Sequence, residues 1–86
     1  VVVVKVSLRY FASIREALGA GETLDMPPGA TVAAVRDALI ARGAPYAQAL
    51  GRGRALRCAV DQAVCDEGKV LCDGAELAFF PPVTGG

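Results

Sequence analysis

An α+β fold is what this sequence predicts: a mixed sheet of about five strands packed on one main helix, with a second short helix beside it. Three observations carry that expectation. Apolar and polar residues alternate over residues 2–10, the mark of a half-buried strand. The apolar period lengthens to helical spacing between Thr31 and Gly43. After residue 55, short runs of strand composition are punctuated by Asp61-Gln62 and Asp73-Gly74, which suit turns.

In the first strand Val4, Val6, Leu8 and Tyr10 share one parity and should face the core, with Lys5, Ser7 and Arg9 on the other side. Phe11, Ile14 and Leu18 then recur at helical spacing, Arg15 and Glu16 fall to solvent, and Gly19 supplies a stop, giving a short helix. ETLDM, residues 22–26, reads as a second strand closed by Pro27-Pro28-Gly29. Thr31 is suited to cap the main helix, whose stripe is Val32, Val35, Leu39 and Ile40; Gly43, just before Pro45, ends it. PYAQAL has the composition of a further helical turn, and Arg52 and Arg54, each next to glycine, read as a solvated basic loop. Leu56, Cys58 and Val60 alternate as a third strand, residues 63–65 begin a short fourth, and ELAFF follows Asp73-Gly74 as the last.

Strand, helix, strand, helix, strand, strand, strand is an order that one sheet under one long helix accommodates, the β-grasp arrangement. On the final strand Leu77 and Phe79 share a parity that Phe80 does not, so both phenylalanines cannot enter one core. Phe80 is expected on the outer face as an apolar docking residue, and Phe11, on the parity of Lys5 and Arg9, is a candidate neighbour.

Composition excludes several classes. Of 86 residues, 53% are hydrophobic and 21% charged, and nine basic residues balance nine acidic ones, which argues for one soluble domain and against nonspecific nucleic-acid binding. No apolar stretch reaches the ~20 residues of a membrane span, and no cleavable signal pattern occurs, so the expectation is a cytoplasmic protein without membrane association. Cys58, Cys65 and Cys72 lie seven apart, but their number is odd, histidine is absent and no C-x-x-C occurs. They read as small apolar residues rather than as metal ligands or nucleophiles. Nor does any nucleophile stand beside a base, so the chain is not expected to be an enzyme by itself.

The division expected is a domain over residues 1–80 and an extended tail over residues 81–86. Pro81 and Pro82 have no N–H to extend a ladder and favour extended dihedrals, so the tail should project from the sheet. Fully extended, residues 80–86 reach roughly 20 Å, enough to enter a pocket on a partner. Gly85 and Gly86, lacking Cβ, suit a narrow channel, while Pro81, Pro82, Val83 and Thr84 would line the path.

AVDQAVC, then DGAELAFFPPVTGG, together with KVSLRYFASIREALG, resembles the small sulfur-carrier subunits of molybdopterin synthase, a MoaD-like, ubiquitin-related β-grasp family. The likeness covers both ends and the strand pattern between them, leaving mainly residues 43–55 without a counterpart; Asp61 stands where such proteins often carry asparagine. It implies that Gly86 is the reacting residue. A terminal carboxylate has a pKa of about 3.5 and is a poor electrophile when ionised. A ubiquitin-activating-like adenylyltransferase would use ATP to make an acyl adenylate there, and a sulfur donor protein would displace AMP to leave a thiocarboxylate. No cofactor would be bound permanently. The large synthase subunit, in an assembly of two small and two large chains, would receive the tail and convert cyclic pyranopterin monophosphate to the molybdopterin dithiolene. The resemblance adds Val64 and, as a polar candidate, Arg15 to Phe80 and Phe11 as partner-binding residues.

Other outcomes use the same tail: a sulfur carrier for thiamin synthesis or tRNA thiolation, or a ubiquitin-like modifier joined to lysines. A noncatalytic β-grasp adaptor would work through its sheet face and would not need Gly85 and Gly86.

Overall fold

A computed structural model describes residues 3–51, 53 and 56–82 of the chain. The elements run β1 (Val4–Tyr10), α1 (Ala12–Leu18), β2 (Gly21–Met26), α2 (Val32–Ile40), α3 (Tyr46–Leu50), β3 (Arg57–Val60), β4 (Ala63–Cys65) and β5 (Ala75–Phe80). The strands form one sheet in the order β2-β1-β5-β3-β4, with β1 and β5 parallel and the other pairs antiparallel. This is the expected mixed five-stranded β-grasp sheet, and the helical turn expected of PYAQAL is present as the five-residue helix α3.

β1 is buried and exposed in strict alternation, with Val4, Val6, Leu8 and Tyr10 inward. These residues join Val32, Val35 and Leu39 of α2, and Leu77 and Phe79 of β5, in one core. Burial of these apolar faces, rather than helix propensity, is what holds so short a helix as α2 in place. Its first turn is also well satisfied: the Thr31 hydroxyl accepts from the Ala34 N–H at 3.3 Å, and Val32 and Ala33 donate to the carbonyls of Lys69 and Glu67.

The turns fall where the sequence placed them. Asp73-Gly74 is anchored on β1, since the Asp73 carboxylate accepts from the Lys5 N–H at 2.8 Å and the Gly74 N–H donates to the Lys5 carbonyl at 2.8 Å. Gly74 has φ +83°, a conformation that side chains with Cβ disfavour. Asp61 and Gln62 both have positive φ, 50° and 71°, the geometry of a tight two-residue hairpin. Aspartate is among the few residues with a Cβ that tolerate the left-handed region. Its carboxylate also accepts from the Glu76 N–H at 3.0 Å. β3 departs from simple alternation: Ala59 is buried along with Cys58 and Val60. On the flanking strands the register partners of Ala59 are Val64 of β4 and Ala78 of β5.

Two polar clusters brace the helices. Arg36, only 4% exposed, donates to the carbonyls of Leu50 and Gly51, each at 2.7 Å, and to the Glu67 carboxylate at 2.6 Å. Glu22 on β2 accepts from Tyr10 at 3.1 Å, Tyr46 at 2.9 Å and Arg42 at 2.8 Å. Burial would raise the Glu22 pKa, but the hydrogen bonds from Arg42, Tyr46 and Tyr10 and the Arg42 charge outweigh it and hold the carboxyl below its usual value. Burial, reinforced by the Glu22 carboxylate, pushes the Tyr10 phenol above its ordinary value, so it remains a donor.

Among the described residues no helix is long and apolar enough to cross a membrane.

Candidate functional site

The outer face of the sheet carries the candidate site. Register alone builds its floor: Arg9 pairs with Ala78, Ala78 with Ala59, and Ala59 with Val64, so one row crosses β1, β5, β3 and β4 on a single face. Two alanines in the middle of that row leave a depression. Phe11 and Phe80 rise at one end and Val64 at the other, enclosing a cavity of about 430 Å³ whose rim is Arg9, Gln62 and Glu76. Phe11 is 41% exposed and Val64 61%, large values for such side chains, while Phe80 is half-buried. Arg9 and Glu76 approach to 3.7 Å on the rim, Arg9 exposed and Glu76 half-buried.

Local sequence explains each position. Phe80 is outward because Leu77 and Phe79 occupy the core parity; both are essentially buried. Phe11 follows β1 on the outer parity and is tethered by its N–H to the Phe79 carbonyl at 3.3 Å. The chain then bends at Ala12, whose φ of +53° is uncommon for a residue with Cβ, and enters α1. Val64 is the middle residue of β4, a three-residue edge strand.

Of the sequence-derived candidates, Phe80, Phe11 and Val64 thus come together around one cavity. Arg15 does not: it is exposed on α1 and does not line this cavity, and its backbone carbonyl accepts from Gly19 in the helix C-cap. Pro81 and Pro82 follow β5 half-buried and outside any strand, as prolines must at the end of a ladder. Val83, Thr84, Gly85 and Gly86 lie outside the described residues, as do Arg52 and Arg54 of the basic loop and the Val2 start of the first strand. Arg9, Gln62 and Glu76 on the rim, and the alanine floor, were missed. The parity argument that placed Phe80 would have found Ala78 and Glu76 with it.

A family model described as the ThiS family matches residues 8–86, nearly the whole chain. The chain belongs to the ThiS family. Among curated relatives, this ThiS-family chain is 40% identical over 81 residues to the molybdopterin synthase sulfur carrier subunit of Escherichia coli (strain K12), covering 94% of this chain and 99% of the relative. It is 39% identical over 77 residues to the subunit of that name from Haemophilus influenzae, covering 90% and 94%. Among solved structures, a putative molybdopterin converting factor subunit 1 from Pyrococcus furiosus superposes with a TM-score of 0.76 at 25% identity, covering 93% of this chain and 99% of that one. SAMP1 from Haloferax volcanii superposes at 0.74 with 26% identity, covering 95% and 99%. A chain from the complex of subunits 1 and 2 of the Helicobacter pylori molybdopterin-converting factor reaches 0.61 at 23% identity, covering 95% and 99%, a likeness of fold.

Proposed function

We infer that this ThiS-family chain is the sulfur-carrier subunit of molybdopterin synthase. The observation that carries the reading is the near end-to-end match, at 40% identity, to a curated subunit of that name. The apolar cavity of Phe11, Val64 and Phe80 supports it, because it lies at the root of the tail, where a partner holding the tail would also meet the sheet.

The Gly86 carboxylate is the reacting group. An adenylyltransferase joins it to the AMP moiety of ATP with release of pyrophosphate, and a sulfur donor displaces AMP, leaving a C-terminal thiocarboxylate. The large synthase subunit binds the outer sheet face, takes residues 81–86 into its active site and supplies the catalytic groups. Each sulfur delivered to cyclic pyranopterin monophosphate returns Gly86 to the carboxylate, so two charged tails are needed per dithiolene. Two small and two large subunits satisfy that stoichiometry. Gly85 and Gly86 let the backbone pass through a channel that side chains would block.

A second reading is favoured by the likeness to SAMP1, small archaeal modifier protein 1: a ubiquitin-like modifier, with Gly86 joined to lysines. Reconstitution separates the two. The thiocarboxylate form of this chain, the large synthase subunit and cyclic pyranopterin monophosphate should yield molybdopterin, with none formed after deletion of Gly85 and Gly86. Lysine-linked conjugates in cells, with no molybdopterin in the reconstitution, would decide for the modifier.

A further inference from the structure

Cys58 and Cys65 face each other in the register of the β3–β4 hairpin, with sulfurs 3.9 Å apart. Directly opposed residues of antiparallel strands have Cα atoms about 4.5–5.5 Å apart, inside the about 4.4–6.8 Å that a disulfide spans. The pair therefore meets the backbone spacing a disulfide needs, and the sulfurs have only to close from 3.9 Å. Both cysteines line an open cavity of about 450 Å³ at the sheet edge with Leu56, Arg57, Val64 and the Asp66-Glu67 loop, and by strand alternation their side chains have the opposite parity to Ala59. Cys65 is half-buried there and meets solvent-borne reagents, whereas Cys58 is buried and donates to the Cys65 carbonyl at 3.3 Å. The third cysteine, Cys72, is exposed and lies outside the hairpin.

We propose that Cys58 and Cys65 are a redox pair, oxidised by hydrogen peroxide to a cross-strand disulfide that pins edge strand β4 to β3. The Cys65 sulfur attacks one peroxide oxygen; the O–O bond breaks, Cys65 becomes a sulfenic acid and one water leaves. The Cys58 sulfur then attacks the Cys65 sulfur, the S–O bond breaks, and the departing hydroxide takes the Cys58 proton as a second water. Two thiols lose two electrons and two protons, and one peroxide becomes two waters. Burial, with the nearby Cys65 next in effect, pushes the Cys58 thiol up to about 12, which fits it as the second partner rather than the first to react. β4 is held by three register pairs only, so a covalent tie is a large addition to its anchoring. The chemistry is independent of any docking role for Val64.

The test uses the full chain, treated with peroxide, alkylated with iodoacetamide and cut with trypsin. Cleavage after Arg57 and Lys69 releases residues 58–69 as one peptide that holds both cysteines and leaves Cys72 in the next. The proposal expects that peptide unalkylated and two hydrogens lighter, Cys72 alkylated, and reversal by dithiothreitol. Amide exchange in residues 63–65 should also slow severalfold in the oxidised protein. Full alkylation of both cysteines after peroxide, a sulfinic acid on Cys65 beside an alkylated Cys58, or disulfide-linked dimers would each overturn it; unchanged exchange in β4 would overturn the pinning.

Discussion

Replacing Arg36 by alanine should cost this domain about 3 kcal/mol. The guanidinium is 4% exposed and bridges elements far apart in sequence, reaching the Leu50 and Gly51 carbonyls and the Glu67 carboxylate. Hydrogen bonds from a charged donor contribute about 1.5–3 kcal/mol each before non-additivity, and removing one partner of a buried ion pair costs about 3–5 kcal/mol. Glu67 is 31% exposed and rehydrates when its partner is lost, which sets the expectation at the low end of that range. Lost stem packing adds to the cost, and relaxation of the residue 50–51 segment offsets part of it. For so small a domain, with a urea dependence of about 1 kcal/mol per M, the unfolding midpoint should fall by about 3 M. Urea titration followed by far-UV circular dichroism measures it. A fall below about 1 M would refute the reasoning, because it would mean that the Arg36 contacts carry no more than an exposed ion pair.

Further expectations concern the site and its frame. Val64→Asp and Phe80→Ala should each weaken binding to the large synthase subunit by at least about 2 kcal/mol, about 30-fold, in calorimetry, while Val70→Asp, exposed but not lining the outer-face cavity, should not. Glu22 is held below its ordinary pKa, so the stability it contributes is present above about pH 4.3, its unfolded value, and is lost as pH falls through the lower folded value. Glu22→Gln should therefore be about 1 kcal/mol less stable at pH 7, and thermal unfolding should show it losing less than the parent between pH 5 and pH 3. A Cβ at Gly21 would collide with the Leu8 carbonyl oxygen, so Gly21→Ala should cost about 1–3 kcal/mol; Gly53→Ala, whose Cβ would meet nothing within 4 Å among the described residues, should be nearly neutral in the same melts.

What was legible in the sequence was local. The alternation of β1, the Thr31 cap and stripe of α2, and the opposed parities of Phe79 and Phe80 follow from residues a few positions apart, and each is found in the fold. The tight turns were legible for the same reason, since Asp61-Gln62 and Asp73-Gly74 act through their own dihedrals. What was not legible depends on partners brought together by the fold. Glu22 gathers Tyr10, Arg42 and Tyr46 from three other segments, and Cys58 meets Cys65 only through hairpin register. Burial of Ala59 likewise requires knowing that Val64 and Ala78 flank it. Arg36 is an intermediate case. It follows Val35 directly and stands four residues after Val32, so a charge sat on the core face of α2 in plain view. Such a position demands a buried partner, though not which one.

The central claim is that Gly86 carries sulfur, and intact mass spectrometry tests it most directly. The chain is incubated with its adenylyltransferase, ATP and a sulfur donor, with a Gly86 deletion as control. The account predicts a mass increase equal to one oxygen replaced by one sulfur, confined to the C-terminal peptide and absent from the control. No shift with an adenylyltransferase and donor shown to be active on another carrier, or a shift that survives deletion of Gly86, would contradict it.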